Sequence, residues 1–263
     1  MGDVTIGLLH PGEMGAAVGQ CLAGAGHRVL WAPEGRSAAT RERAAAAGLE
    51  GCGLAEITAR SDVIVSVCPP ASALDVAHQV FGFGGLYLDA NAISPATAGE
   101  VAATVTAGGA SYVDGGIIGT PPVTPGFIRL YLSGDRAEQA RDLFAGTPVD
   151  ARLVAPPGTA SAVKMAYASW TKGSAALLLA TRALARAEGV EPALLEEWGL
   201  SQPGLEKRWD AADRSAAAKG WRWVGEMVQI AAAMAASGLP EGFHQAAAQI
   251  YQGYQQGPRR SDR

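Results

Sequence analysis

Lys164 is the residue whose type and surroundings best suit proton transfer. The chain has four lysines, and this one stands between Val163 and Met165 in a largely apolar segment. An ammonium group that is partly withdrawn from water gives up its proton more readily, and it can act as an acid or a base near neutral pH. Lys164 is therefore the candidate catalytic residue. A lysine that extends from a helix edge into solvent is the alternative.

A glycine-rich turn near the start of the sequence has the spacing of a phosphate-binding site. Gly12 and Gly15 stand at the second and third glycines of the pattern Gly-x-Gly-x-x-Gly, and His10 stands at the first. Between a strand and a helix, such a turn lets a pyrophosphate approach the N–H groups of the helix N-terminus. An ordinary strand-to-helix turn is the alternative. The residues predicted to contact a dinucleotide here are His10, Pro11, Gly12, Glu13, Met14 and Gly15.

The segment after the second predicted strand distinguishes between NAD(H) and NADP(H) as the bound dinucleotide. An acidic residue there binds the ribose hydroxyls of NAD(H), whereas arginine with a hydroxyl residue binds the 2′-phosphate of NADP(H). Glu34 could be the ribose ligand, while Arg36 and Ser37 begin the next predicted helix. We favour NADP(H) as the cofactor and keep NAD(H) as the alternative. Another interpretation also stays open, in which Arg36 is a solvated charge on a helix surface without a ligand.

These residues need a scaffold that brings strand ends and helix starts together. Up to about residue 155, short β-rich segments alternate with Ala-rich helical segments, and strands such as 63–67 are apolar almost throughout. This pattern is typical of parallel strands covered on both faces, and it predicts an α/β domain of the Rossmann type with a doubly wound parallel sheet. The predicted strands are 4–9, 28–31, 62–67, 86–90, 111–113 and 127–133. The predicted helices are 14–25, 37–47, 71–80, 96–107 and 137–145.

After the break at 155–158 the strand pattern ends, and the rest of the sequence predicts helices alone. These helices are predicted at 159–187, 192–198, 205–218, 224–236 and 240–254. We therefore expect three parts. They are a Rossmann domain over 1–156, an all-α domain with the substrate cleft and dimer contacts over 157–256, and a frayed tail over 257–263.

Several segments together resemble the β-hydroxyacid dehydrogenase superfamily, the relatives of 6-phosphogluconate dehydrogenase and 3-hydroxyisobutyrate dehydrogenase. The usual turn of that family is Gly-Leu-Gly-x-Met-Gly, so the end of the pattern matches while His10 and Pro11 depart from it. Residues 219–227 look like a branch whose C-terminal domain is described only as phosphogluconate-dehydrogenase-like. The resemblance covers nearly the whole chain. It implies an enzyme that transfers a hydride between NADP(H) and a small hydroxy or oxo substrate.

Two segments that resemble the family correspond to its contacts with the nicotinamide. The loop over the nicotinamide side of the cofactor corresponds to Cys68, Pro69 and Pro70. The family's Asp-x-Ser-Thr-x-x-Pro segment corresponds to 89–95, with Asn91 at the place of the common serine. The resemblance implies that these residues contact the cofactor and that Asn91 also orients the substrate.

The remaining segments correspond to the family's substrate contacts. The family's Asp-Ala-Pro-Val-Ser-Gly-Gly loop corresponds to 114–120, where Ile118 replaces the serine that helps to hold a carboxylate. The Gly-x-x-x-x-x-Lys pattern of the catalytic lysine ends at Lys164, and Ala168 stands where the family has asparagine. The two replacements imply a substrate other than the family's standard ones. The implied substrate-binding residues are Asn91, Gly116, Ile117, Ile118, Gly119, Lys164 and Ala168.

Two other functions stay open. Imine reductases share this fold, but they usually carry Asp or Tyr in place of the catalytic lysine, so Lys164 disfavours that function. A non-catalytic nucleotide-binding protein would explain the altered Ile118 and Ala168. Trp221, Trp223 and Met227 stand at helical spacing and could line a pocket, although a core or dimer interface is the preferred interpretation.

Composition limits the class of partner. The 263 residues are 48% hydrophobic and 17% charged, with a formal net charge of −4. These values exclude a disordered chain and give no basic surface for nucleic acid. Three scattered cysteines without metal-ligand spacing indicate a reducing cytoplasm and no metal site, and no segment approaches the ~20 apolar residues of a membrane span. The Trp- and Ala-rich second half predicts a homodimer that acts on a small molecule.

Overall fold

The computed structural model describes residues 4–121 and 127–254. The chain divides into two compact units, Met1–Met165 and Ala166–Arg263. The first unit extends past residue 156, the predicted domain boundary, and includes the start of a long helix. The predicted tail over 257–263 lies outside the described residues.

The first unit is built around an eight-stranded sheet. Its strands are β1 (Thr5–Leu9), β2 (Arg28–Trp31), β3 (Glu50–Gly51), β4 (Val63–Ser66), β5 (Leu86–Asp89), β6 (Ser111–Gly119), β7 (Ile128–Ser133) and β8 (Val149–Leu153). They lie in the order β3-β2-β1-β4-β5-β6-β7-β8. The chain adds strands on one side of β1 and then on the other, so the sheet is doubly wound, and the predicted fold class is confirmed. The switch point lies between β1 and β4.

The helices of this unit cover the sheet. They are α1 (Glu13–Gly24), α2 (Ala38–Ala46), α3 (Leu54–Arg60), α4 (Ala73–Gln79), α5 (Pro95–Ala107), α6 (Ala137–Asp142) and the first turns of α7 (Ala160–Ala187). Every residue of β4 and β5 is buried. Successive residues contribute to different hydrophobic clusters, with Val65 in one and Ile64 in the other. Both faces of the sheet therefore carry a core, as parallel strands require.

Strands β6 and β7 correct the prediction of a parallel sheet. They pair antiparallel, whereas the other neighbouring strands pair parallel. Residues 120–127 connect them, which is too short for a crossover helix, so the chain returns in the opposite direction. Strand β6 also continues to Gly119, beyond the predicted end at 113. Consecutive glycines such as Gly115 and Gly116 are common in turns, but a Cβ at Gly115 would lie 2.6 Å from the Asp89 carbonyl oxygen, so glycine allows β5 and β6 to pair.

The second unit is all-helical, as predicted. After the remainder of α7 it contains α8 (Glu191–Ser201), α9 (Leu205–Ala236) and α10 (Gly242–Gln252). Helix α9 is continuous over 32 residues, and the predicted separate helices over 205–218 and 224–236 are wrong. Gly220 does not end the helix because it is a packing position, where a Cβ would lie 3.3 Å from the Cβ of Tyr254.

The tryptophan-rich part of α9 contributes to the interior of the helical unit. Met227 is fully buried, and the ring of Trp223 packs edge-on against Tyr251 with 5.0 Å between ring centroids. Lys172 forms an ion pair with Glu226 and lies 5.6 Å from the centre of the Trp223 ring. Trp221 is 53% exposed and does not belong to this interior. Core packing therefore accounts for Trp223 and Met227.

Candidate active site

A row of buried polar residues crosses four neighbouring strands of the first unit. Ser66 on β4 is in register with Asp89 on β5, which is in register with Asp114 on β6 and then Ser133 on β7. None of the four is more than 1% exposed. Buried polar groups are stable where they are hydrogen-bonded, so this row identifies strand positions that serve something other than core packing.

Asp114 and Ser133 hold the N-terminus of α7. The backbone N–H of Ser161 donates to Asp114 Oδ2 at 2.9 Å, and the Ser161 hydroxyl donates to Asp114 Oδ1. The Ser133 hydroxyl donates to Asp114 and accepts from the backbone N–H groups of residues 158, 159 and 160, each at 3.1 Å. The free N–H groups of the first helical turn are thereby paired, and a negative charge stands where the helix dipole favours one. The start of α7 is fixed relative to β6.

Lys164 lies one turn into this fixed helix, against Gly116. A Cβ at Gly116 would lie 2.6 Å from the Ala160 carbonyl oxygen and 3.1 Å from the Cβ of Lys164. The absence of a side chain at Gly116 therefore lets β6 approach α7 at the lysine, whose side chain is half-buried. Sequence reasoning identified both residues but not Asp114 and Ser161, although Asp114 begins the segment that resembles the substrate loop.

The other predicted substrate-binding residues have different environments. Ile118 follows Gly116 on the same face of β6 and is 3% exposed. Ile117 is on the opposite face in the hydrophobic core, which does not support contact with a substrate. Gly119 is exposed at the end of β6, with a φ of +128°. Ala168 belongs to the second unit, where its methyl group is buried.

Asn91 connects the ends of β4 and β5. It is 2% exposed, its Nδ2 donates to Ser66 Oγ at 3.0 Å, and its Oδ1 accepts from the Cys68 N–H at 2.5 Å. Its own N–H donates to Asp89 Oδ1 at 2.9 Å. These bonds position the start of the loop that contains Cys68, exposed Pro69 and Pro70. Burial raises the pKa of the Cys68 thiol to about 12, so this cysteine is not a thiolate nucleophile at neutral pH.

Asp89 is one of two buried carboxyl residues in the row, and its neighbour across the strands is Asp114. Burial raises the pKa of the Asp89 carboxyl group to about 7, the Asn91 N–H opposes that change, and the charge of Asp114 adds to it. Three polar atoms on this face of the sheet, Asp89 Oδ2 and the hydroxyl oxygens of Tyr87 and Tyr112, are buried without a hydrogen-bond partner among the described residues. The fold therefore carries a buried carboxyl group with a pKa near neutral pH, beside two buried tyrosine hydroxyls whose pKa values burial raises.

The glycine-rich turn between β1 and α1 is compact on one side and open on the other. The Gly12 N–H donates to the His10 carbonyl oxygen at 2.7 Å, and a Cβ at Gly15 would lie 2.4 Å from that oxygen. A Cβ at Gly12 would have no atom within 4 Å. Gly15 is thus required by packing, whereas Gly12 leaves room for a ligand. Pro11 is buried, Glu13 is exposed at the start of α1, and Met14 packs against the core.

A pocket of about 150 Å³ lies beside the ends of β1 and β2. Arg36 in its lining is half-buried, and Glu34 is exposed. Ser37 is not in the lining; its hydroxyl caps α2 by accepting from the Thr40 N–H at 3.3 Å. The predicted basic and acidic ligands thus border one cavity. The pocket is lined by Leu8, Leu9, His10, Ala32, Glu34, Arg36, Leu54 and Gln79.

Residues 4–121 and 127–254 contain neither a membrane-spanning helix nor a cluster of metal ligands. No described helix has the length and apolar character needed to cross a membrane. Within the same ranges, no three His, Cys, Asp or Glu side chains are arranged to hold a metal ion.

Known sequences match parts of this chain. Residues 185–254 match a family described as a domain of unknown function, DUF1932, which is the C-terminal domain of 3-hydroxyisobutyrate dehydrogenase-like proteins. An uncharacterized 28.5 kDa protein in the 7S RNA 5′ region of Methanothermus fervidus is 31% identical over 143 residues. That match covers 54% of this chain and 55% of the relative, so the chain spans about half the length of that protein.

Solved structures match nearly the whole chain. A conserved protein of unknown function, described as structurally similar to 3-hydroxyacid dehydrogenases, has a TM-score of 0.69 at 26% identity, covering 95% of this chain and 96% of the other. A Mycobacterium tuberculosis 3-hydroxyisobutyrate dehydrogenase with L-serine has a TM-score of 0.70 at 20% identity, covering 96% and 94%. An Aspergillus terreus reductive aminase with NADPH and ethyl-5-oxohexanoate has a TM-score of 0.60 at 20% identity, covering 96% and 93%. These likenesses extend through both the Rossmann unit and the helical unit, so the chain shares the fold of these solved structures, a doubly wound α/β unit followed by an all-helical unit.

Proposed function

We propose that this protein is an NADP(H)-dependent oxidoreductase that interconverts a hydroxyl and a carbonyl group on a small organic substrate. The observation that carries the proposal is the half-buried Lys164, held against Gly116 by the fixed start of α7. Gly116 is two residues beyond Asp114, the residue of β6 that pairs with the end of β5, so Lys164 lies beyond the carboxyl ends of the parallel strands. The glycine-rich turn follows the carboxyl end of β1. Ligands of doubly wound sheets bind at those strand ends.

The residues at these strand ends fit a dinucleotide. The open space at Gly12 and the N-terminus of the twelve-residue α1 suit a pyrophosphate. The pocket that contains Arg36 suits the adenosine end, and the segment from Cys68 to Pro70 would lie along the nicotinamide end. When bound, NADP(H) supplies or accepts the hydride. NAD(H) stays the alternative cofactor because Glu34 borders the same pocket.

Lys164 is the proposed catalytic residue. It donates a proton to the substrate's carbonyl oxygen during reduction and accepts one from the hydroxyl group during oxidation. Asn91 acts as a positioning residue, since the described bonds of its amide go to Ser66 and Cys68. Ile118 and Ala168 offer no hydrogen bond to a carboxylate. The proposed substrate is therefore a small hydroxy or oxo compound whose carboxylate, if it has one, is not held by these two positions.

Replacement of the lysine tests this proposal. Lys164→Ala is expected to lower kcat by about 10²- to 10⁴-fold, the usual contribution of general acid–base catalysis, and to leave NADPH affinity within a few-fold of wild type. The readouts are the consumption of NADPH with a panel of aldehydes and ketones, and NADPH fluorescence on binding. Lys207→Ala, an exposed lysine on α9, is the matched control and is expected to keep full activity. Unchanged turnover in Lys164→Ala would overturn the assignment, and absence of NADPH binding by wild type would overturn the function.

Reduction of a C=N bond is a second candidate, because apolar Ile118 beside Gly116 suits an imine that carries no acidic group. Parallel assays with ketones and cyclic imines distinguish the two activities. Turnover of imines alone would favour this candidate. Cofactor binding without any turnover would instead indicate a non-catalytic nucleotide-binding protein.

Three further properties belong to the proposal: the class of substrate, the compartment and the oligomeric state. The protein acts on a small molecule rather than nucleic acid, because its net charge of −4 provides no attraction for phosphate backbones. It works in the reducing cytoplasm, since its three cysteines are all free thiols. We also propose that it forms a homodimer, for which the helical unit offers exposed apolar side chains.

A further inference from the structure

His10 has a backbone conformation that glycine adopts more easily. Its φ is +66°, in the left-handed region that few non-glycine residues occupy. The turn explains this conformation, because the His10 carbonyl oxygen accepts from Gly12 and packs closely against Gly15. Glycine would meet the same requirement with less strain. The imidazole is therefore not needed for the turn, and its role must be sought in what it contacts.

The imidazole borders the same 150 Å³ pocket as Arg36 and Glu34. Its Nδ1 atom is buried without a hydrogen-bond partner among the described residues, so the ring carries a polar atom whose hydrogen bond is not satisfied by the fold. The remaining lining is mostly apolar, so a ligand's charged group would interact with these three side chains. The pocket therefore has a small polar part made of one imidazole, one guanidinium and one carboxylate.

The charges around His10 favour an anion. Burial and the positive charge of Arg36 lower the pKa of His10 to about 4, so its imidazole is neutral at pH 7 in the protein alone. Of the neighbouring ionisable groups, Glu34 follows β2 and is exposed, Glu13 is exposed at the start of α1, and the thiol of Cys68 follows β4. Exposed carboxylates are screened by solvent, whereas Arg36 is half-buried. A phosphate dianion between His10 and Arg36 would offset the guanidinium charge and favour the protonated imidazole.

We propose that His10 and Arg36 together bind the 2′-phosphate of NADP(H), and that the His10 imidazole takes up a proton from solvent as the phosphate binds. This inference rests on the proposed function and deepens it. It decides between the two cofactors left open by Glu34 and Arg36, because His10 adds a second group that can carry positive charge. It also makes the preference for NADP(H) over NAD(H) depend on pH.

The matched variant is His10→Asn, because asparagine tolerates the left-handed backbone and forms neutral hydrogen bonds but cannot take up a proton. Isothermal titration with NADPH and NADH, in buffers of different ionisation enthalpy at about pH 6.5, measures both Kd and proton uptake. On binding NADPH, wild type is expected to take up roughly half a proton or more beyond the number of protons taken up by His10→Asn. On binding NADH, the two proteins are expected to take up equal numbers of protons. The variant is expected to bind NADPH about tenfold more weakly and NADH within about threefold of wild type.

The outcomes separate this inference from the function on which it rests. Equal Kd values and equal proton uptake in wild type and His10→Asn would overturn the inference while NADPH binding still supports the proposed function. A wild type that binds neither cofactor would overturn both. Arg36→Ala is the second variant, and it is expected to lose the excess proton uptake because the phosphate is no longer held beside His10. Circular dichroism melting curves show whether each variant is folded.

Discussion

The carboxyl group of Asp89 connects the fold of this protein to pH. In the folded protein its pKa is raised from 3.8 to about 7, chiefly by burial. Between those two values the unfolded chain has released a proton that the folded chain still holds. Stability from this group is therefore complete below about pH 4, is lost as the pH rises towards 7, and changes no further above that.

Asp89→Asn removes this titration while keeping an oxygen that can accept from Asn91. The free energy of unfolding of wild type relative to the variant is expected to fall by on the order of a few kcal/mol between about pH 4 and about pH 8. Urea unfolding of both proteins across that range measures the difference, and the subtraction cancels the other titrating groups. A difference that does not vary with pH would contradict the prediction.

Residue types indicate part of the candidate site. Lys164, Gly15 and Arg36 could be found from the sequence because their chemistry or spacing is unusual by itself. Hydrogen-bond partners could not be found this way, since they depend on neighbouring strands. The described bonds of the Asn91 amide join two strand ends, and Asp114 holds a helix that begins 46 residues later in the sequence, at Ala160. These roles are set by strand register, which a single sequence does not display.

At the scale of elements, the contact between β6 and α7 sets the position of the candidate catalytic lysine. Gly116→Ala would place a methyl group 2.6 Å from the Ala160 carbonyl oxygen, a distance that requires the strand or the helix to move. Because both sides of the contact are backbone, we expect a loss of about 1–3 kcal/mol in the free energy of unfolding and a lower kcat. NADPH affinity is expected to change little, since the glycine-rich turn lies on other elements.

Gly99→Ala is the control for this substitution. Gly99 is an exposed glycine within α5, where an added Cβ meets no atom within 4 Å. Alanine there is expected to stabilise the protein by roughly 0.5–1 kcal/mol and to leave activity unchanged. Thermal melting and NADPH turnover measure both variants. If Gly116→Ala retained full stability and kcat, close packing of β6 on α7 would not be what positions Lys164.

The elements that the sequence predicted well are those whose pattern is local. The alternation of strands and helices up to residue 155 is visible in the hydrophobic pattern, and so is the switch to helices after it. Strands β3 and β8 and helix α3 were missed because they are short and weakly apolar. The direction of β7 and the continuity of α9 depend on connection length and on packing at Gly220, so local composition misjudges both.

At the scale of the whole molecule, exposed apolar side chains are concentrated in the helical unit. On α7, Trp170, Leu177 and Leu184 are 68%, 66% and 62% exposed. They are seven residues apart, or two helical turns, so they form one stripe about 21 Å long. Large exposed apolar stripes are typical of interfaces, and they support the proposed homodimer.

This stripe makes the dimer testable. Wild type is expected to have a molar mass in solution of twice 26.9 kDa by light scattering. The double variant Leu177→Glu and Leu184→Glu is expected to shift towards 26.9 kDa, because two carboxylates would be buried without partners on each side of the interface. Phe81→Glu is the matched control, since Phe81 is 60% exposed in the first unit and its replacement should leave the mass unchanged. A monomeric wild type would refute the dimer, and a dimeric double variant would place the interface elsewhere than along this face of α7.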